Sequence, residues 1–127
     1  MKKDQDPQIK AAFRRMSQRI DRIRENNERI SASQCHFLFR FYNELQLIKI
    51  LSKQRNHIAF AEWIELELQS VDSVLEGTID MNTYLLTLRK LLKLESACSE
   101  YCNKQGLSDI MSQARTAVSH NQRKLGC

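Results

Sequence analysis

Apolar side chains recur along this chain at steps of three and four residues, in five stretches separated by short polar punctuation. This is the repeat of an amphipathic helix, in which residues three and four apart share a face. In the first stretch Ile9, Phe13, Met16, Ile20, Ile23 and Ile30 follow one line, with Asn27 in the remaining slot, so the steps run 4, 3, 4, 3, 4, 3. Sustained alternation of this kind is a heptad seam. Pro7 suits the first turn, because the N–H it lacks would have had no helical partner there, and the pattern carries the helix from about 7 to about 30.

Ser31 and Gln34 have the spacing of a capping box, in which each side chain satisfies a backbone N–H at a helix start. A second helix over about 34–55 follows, with Phe37, Leu38, Phe41, Leu45, Ile48 and Leu51 forming a wide apolar face. The segment SASQ holds no true breaker, so the competing arrangement is one helix over 7–55, roughly 70 Å long. The break at Ser31 is preferred, and it makes 7–55 a long helical hairpin.

Asn56 is placed to cap a third helix that ends near Glu76, where Gly77 offers a left-handed stop; Ala61, Ile64, Leu68, Val71 and Leu75 form its apolar line. A fourth helix starts at Asp80, with Met81, Tyr84, Leu85, Leu88, Leu91, Leu92, Cys98 and Tyr101 as its expected core, and Gly106 ends it. A fifth covers about Ser108–Lys124, with Ile110, Met111, Ala114, Val118 and Leu125 on one side. Three glycines and one proline in 127 residues cannot supply the repeated tight turns of a sheet protein. The expected fold is all-α: a compact bundle of four or five amphipathic helices in a single domain over 1–127, frayed at 1–6 and 125–127.

Charge changes the picture more by its layout than by its net value of +5. Residues 1–55 carry 13 Lys/Arg against 6 Asp/Glu, residues 56–88 carry six acids and no Lys or Arg, and residues 89–127 carry 7 against 3. Arg15, Arg19, Arg22 and Arg29 run along the first helix, and Glu62, Glu65, Asp72 and Glu76 along the third, at matching spacing and opposite sign. Either these stripes pair, within a chain or across a dimer, or the basic face, Lys10, Arg14, Arg15, Arg19, Arg22 and Arg29, contacts nucleic-acid phosphates. Five acids among residues 1–30 and the lack of interleaved aromatic side chains weigh against the second.

Asn27, polar within an apolar seam, either fixes register or oligomeric state, as such residues do in coiled coils, or marks where the seam ends. With Ile20, Ile23 and Ile30 it forms one candidate protein interface. Trp63, beside Glu62 and Glu65, forms another, since tryptophan is a preferred anchor on partner surfaces; its alternative is a place in a widened core.

Catalytic chemistry finds no foothold. His36, His57 and His120 lie far apart, and no phosphate loop, nucleophile elbow or His-Glu-x-x-His pair is present. Cys98 and Cys102 share a helical face and, with Cys35 and His36, have the chemistry of a soft-metal site, but helical cysteine is more often a small core residue. Reduced thiols, the missing apolar leader and the absence of any apolar run of about 20 residues lead to the expectation of a soluble cytoplasmic protein. The sequence therefore points to a non-enzymatic helical adaptor or regulator without a cofactor, metal or small-molecule substrate. Its partner is another protein or a second copy; a nucleic-acid-associated accessory factor is the alternative.

Overall fold

Residues 7–26 and 31–121 are described by the computed structural model, and they form five helices with no strand among them. These are α1 (Pro7–Asn26), α2 (Ala32–Gln54), α3 (Ile58–Leu75), α4 (Met81–Lys104) and α5 (Ser108–Asn121). Asn27, Arg29 and Ile30, the end of the expected seam, lie outside the described residues, as do residues 122–127.

The capping box is present. Ser31 Oγ accepts from the Gln34 N–H at 3.2 Å, and Gln34 Oε1 accepts from the Ser31 N–H at 3.0 Å. α2 therefore starts as a helix of its own, and a single helix over 7–55 is excluded.

α2 is the axis of the bundle and packs on all four other helices. Its sequence fits that position: Leu38, Phe39, Tyr42, Leu45, Leu47 and Ile48 are all buried, and they go right round the helix instead of marking one stripe. Cross-links give the directions. Gln54 reaches Gln8 and Tyr42 reaches Arg19, so α1 runs antiparallel to α2. Lys49 meets Glu65 and Tyr42 meets Asp72, so α3 does too, whereas the Tyr84 hydroxyl donates to the Gln34 carbonyl at 3.2 Å at the start of a parallel α4. Arg55 pairs with Asp109 where α5 sets out in the opposite direction to α2.

Two expected caps take other forms. Asn56, expected to cap α3, instead has φ +67° and ends α2: its N–H donates to the Lys53 carbonyl at 3.1 Å and the His57 N–H to the Ser52 carbonyl at 2.9 Å. This is a Schellman ending with asparagine in the left-handed position, and His57 precedes α3 without a side-chain cap. Gly106 closes α4 in the same way at φ +70°, with the Leu107 N–H on the Cys102 carbonyl at 2.7 Å. Gly77 does not take a left-handed conformation; its N–H bonds the Val74 carbonyl at 3.2 Å in a tightened last turn.

The two left-handed sites should respond in opposite directions to substitution. Asn56→Gly relieves a side chain held at positive φ and is expected to stabilise by up to about 1 kcal/mol, whereas Gly106→Ala should cost about 1 kcal/mol or more. Urea melts read both changes, and a destabilised Asn56→Gly would contradict the assignment.

α4 turns a different face to the core from the expected one. Tyr84, Thr87, Leu91, Leu94, Glu95, Cys98 and Cys102 are buried, while Met81, Leu85 and Leu92, expected inside, are 56%, 53% and 45% exposed. Phe37 of α2 is exposed as well. No described helix is long and apolar enough to cross a membrane.

Candidate interaction surfaces

The pairing expected between α1 and α3 is realised at one position. Tyr42 stands between them on α2, its ring under the Arg19 guanidinium at 5.5 Å. Its hydroxyl donates to Asp72 Oδ1 and accepts from Arg19 Nη1 at 2.6 Å and from Gln46 Nε2 at 3.0 Å; Arg19 and Asp72 also meet directly at 3.0 Å. Burial, together with the bond to Asp72, raises the Tyr42 phenol well above the usual tyrosine range. Arg19 therefore belongs to a structural link between three helices.

Among the described residues, no other members of the two stripes form an ion pair with each other. Glu65 pairs with Lys49 of α2, which lowers its carboxyl from the ordinary glutamate value. Arg15 and Glu62 face each other's helices across a groove of about 520 Å³, shared with Glu65, Lys49, Lys53 and Ile58, and form no ion pair among the described residues. Both signs of charge line that groove, which suits neither a simple anion nor a simple cation.

On the outer side of α1, Lys10, Arg14, Arg15 and Arg22 are exposed, and no ion pair engages them among the described residues. At 100° per residue they spread over about 140° of the helix, and exposed Asp21 and Glu25 fall between Lys10 and Arg22 on the same surface. Of the expected basic face, Lys10, Arg14, Arg15 and Arg22 are exposed, Arg19 is drawn into the link with Tyr42 and Asp72, Arg29 lies outside the described residues, and acid interrupts the surface.

Ile20 and Ile23, candidates for an intermolecular seam, are buried with Ile9, Ala12 and Met16 in the core formed with α2. The α1 seam is used within the chain. Trp63 and Glu62, the other candidates, lie on the solvent side of α3, opposite the buried line Ala61, Ile64, Leu68, Val71 and Leu75. Trp63 is 39% exposed and stacks on Phe60, which in turn stacks on Tyr101 at 3.8 Å. Leu66, one turn on, is 65% exposed, and Val74 is exposed further along.

A buried carboxyl pair is the feature that sequence reasoning missed. Glu44 of α2 and Glu95 of α4 are 2% and 8% exposed, and Glu95 lies near enough to act on the Glu44 carboxyl. Glu44 Oε2 accepts from Arg40 Nε, and Glu95 Oε1 from Arg115 Nη2, both at 3.4 Å. Glu44 Oε1 and Glu95 Oε2 have no hydrogen-bond donor among the described residues. Burial, then the neighbouring Glu95 carboxyl, push the Glu44 carboxyl up from 4.5 to about 7. Arg40 and Arg115 continue outward into a shallow depression with Thr116, Ser119 and His120. Asn43, adjacent on α2, is fully buried with neither amide atom bonded. The signal was available: a helix with apolar residues all round has no solvent side for its polar residues, and Glu95 lies on the line from Leu91 to Cys98.

Cys35, Cys98 and Cys102 are buried and in no disulfide among the described residues, and burial raises Cys98 to about 12. Among the described residues no three His, Cys, Asp or Glu side chains converge as a metal site requires. Comparisons with protein-family models, curated proteins and solved structures return no match.

Proposed function

We propose that this chain is a non-enzymatic helical adaptor or regulator, which acts by packing an exposed helix face against another protein chain, a second copy included. The observation that carries the reading is the solvent side of α3. Trp63, Leu66 and Val74 stand exposed there, flanked by Glu62 and Glu67, on a helix whose opposite side already fills the core. Exposed apolar side chains aligned on one helix face, with tryptophan among them, have the composition of a partner surface. A cytoplasmic setting belongs to the same reading, because the buried cysteines are thiols.

The runner-up is a nucleic-acid accessory role, supported by exposed Lys10, Arg14, Arg15 and Arg22. Asp21 and Glu25 on that surface, and the use of Arg19 inside the bundle, make it the weaker of the two.

A photo-crosslinking amino acid at position 66, with a control at position 14, separates them in cells. The adaptor reading expects a discrete protein adduct from position 66 that Trp63→Ala reduces several-fold. Crosslinks to nucleic acid from position 14, with no protein adduct from 66, would replace it with the runner-up.

A further inference from the structure

We infer that copies of this chain associate head to tail, the solvent face of α3 in one copy packing on an apolar strip of α2 and α4 in the next. The inference rests on the adaptor reading and names its partner as a second copy.

The strip on α4 is Met81, Leu85, Leu88 and Leu92, at steps of 4, 3 and 4 residues, which is one line along a helix. Three of the four are about half exposed, and Leu88 is partly buried. α2 extends the strip: Gln34 Nε2 touches the Met81 sulfur at 3.8 Å, and Phe37, one turn further, is exposed with its ring against Phe41 at 5.6 Å. The face of α3 offers Ala59, Trp63, Leu66, Ser70 and Ser73 at steps of 4, 3, 4 and 3, with Val74 beside them. Both lines have the spacing of an interhelical seam, and both are open to solvent.

Charge decides which line meets which. The α4 strip is bordered by exposed Arg89 and Lys93; Glu44 and Glu95 nearby are buried, and exposed Asp80, beside Met81, accepts from the Thr83 N–H as the helix cap. The α3 face is bordered by exposed Glu62 and by Glu67, which pairs with Lys90 of its own chain. Two α4 strips share the same basic border and two α3 faces the same acidic one. Packing α3 on α4 sets Glu62 against Arg89 and Lys93.

The contact cannot close within one chain. α4 meets its own α3 through Lys90, which reaches Glu67 and Ser70, about half a turn round the helix from Leu85, Leu88 and Leu92. The two surfaces differ, and the strip lies on the far side of α4 from that contact, so a copy bound at one leaves the other free. Such an interface is heterologous and propagates to rings or open chains.

Capped variants test this directly. Leu85→Asp with Leu92→Asp removes the strip, and Leu66→Asp with Val74→Asp removes the α3 face; all four positions are exposed, and circular dichroism checks each fold. In sedimentation velocity the wild type is expected to grow past two copies as concentration rises. Each capped variant alone should associate at least about tenfold more weakly, because a carboxylate cannot enter an apolar contact unpaired. An equimolar mixture of the two should form a one-to-one complex and nothing larger, since each supplies the surface the other retains. The charge-only variant Arg89→Glu with Lys93→Glu should weaken association without touching the apolar line.

A wild type that stays monomeric throughout, a dimer that stops at two copies, or a mixture that forms no complex each overturns the inference. The crosslink from position 66 keeps this distinct from the adaptor reading. An adduct with a different protein leaves the adaptor standing without self-association, and no protein adduct removes both.

Discussion

Ile20→Asp should unfold this protein at neutral pH without shifting its oligomeric state. Ile20 is 1% exposed and packs with Met16 and Ile23 into the core beneath α1. An aspartate there puts a carboxylate among alkyl groups with no donor within the seam, and the expected cost is about 4 kcal/mol or more. Set against a typical total of about 5–15 kcal/mol for a single domain, that is enough to move a denaturant midpoint a long way or abolish the transition. Arg22→Asp, on the exposed side of the same helix, should change stability by about 0.5 kcal/mol at most and serves as the control. If Ile20→Asp kept the wild-type melt and only lowered the sedimentation mass, the seam would be intermolecular and the placement of α1 on α2 wrong.

The same residue shows where sequence reasoning runs out. The heptad line through Ile9, Met16, Ile20 and Ile23 was legible, because side chains at three and four residue steps must share a face. What it packs against was not, because a seam has the same spacing whether its partner is α2 or another chain. The stripes of charge misled in a similar way. Their spacing was real, but α2 lies between α1 and α3, so Lys49 takes Glu65, and among the described residues only Arg19 of the stripe reaches Asp72, beside the hydroxyl of Tyr42.

On α4 two apolar lines compete, Met81–Leu85–Leu88–Leu92 and Tyr84–Leu91–Cys98, and periodicity counts both. The second lies inside, together with Thr87, Leu94 and Cys102. The residues left over are what give the molecule its candidate surface. Local signals fared better where chemistry demanded one residue type: Ser31 with Gln34, and Gly106 at positive φ. Asn56 ends α2 instead of starting α3 because asparagine tolerates the left-handed region, and Gly77 stays out of that region because α3 finishes by tightening its last turn.

The carboxyl pair gives the second large effect, and its sign runs against ordinary acid denaturation. In the unfolded chain Glu44 titrates near 4.5; in the bundle it holds its proton up to about 7. Between those values the folded state binds more protons, so this pair's contribution is fully present below about 4.5 and is lost as pH rises to about 7. The loss is on the order of 3 kcal/mol, and above that range it is constant. The groups facing the pair are Arg40 from α2, Arg115 from α5 and the thiol of Cys98 beside Glu95 on α4; the two guanidiniums moderate the loss by stabilising the charged forms. Glu65, lowered by Lys49, has the opposite dependence and loses its contribution as pH falls, so the raw profile mixes both. Glu44→Gln isolates this group, because the amide does not titrate. Its stability relative to wild type should rise steadily from pH 4.5 to 7 and then level off, as read from urea melts at each pH. A difference that stays flat across that range would mean that the Glu44 carboxyl is not raised in the folded protein.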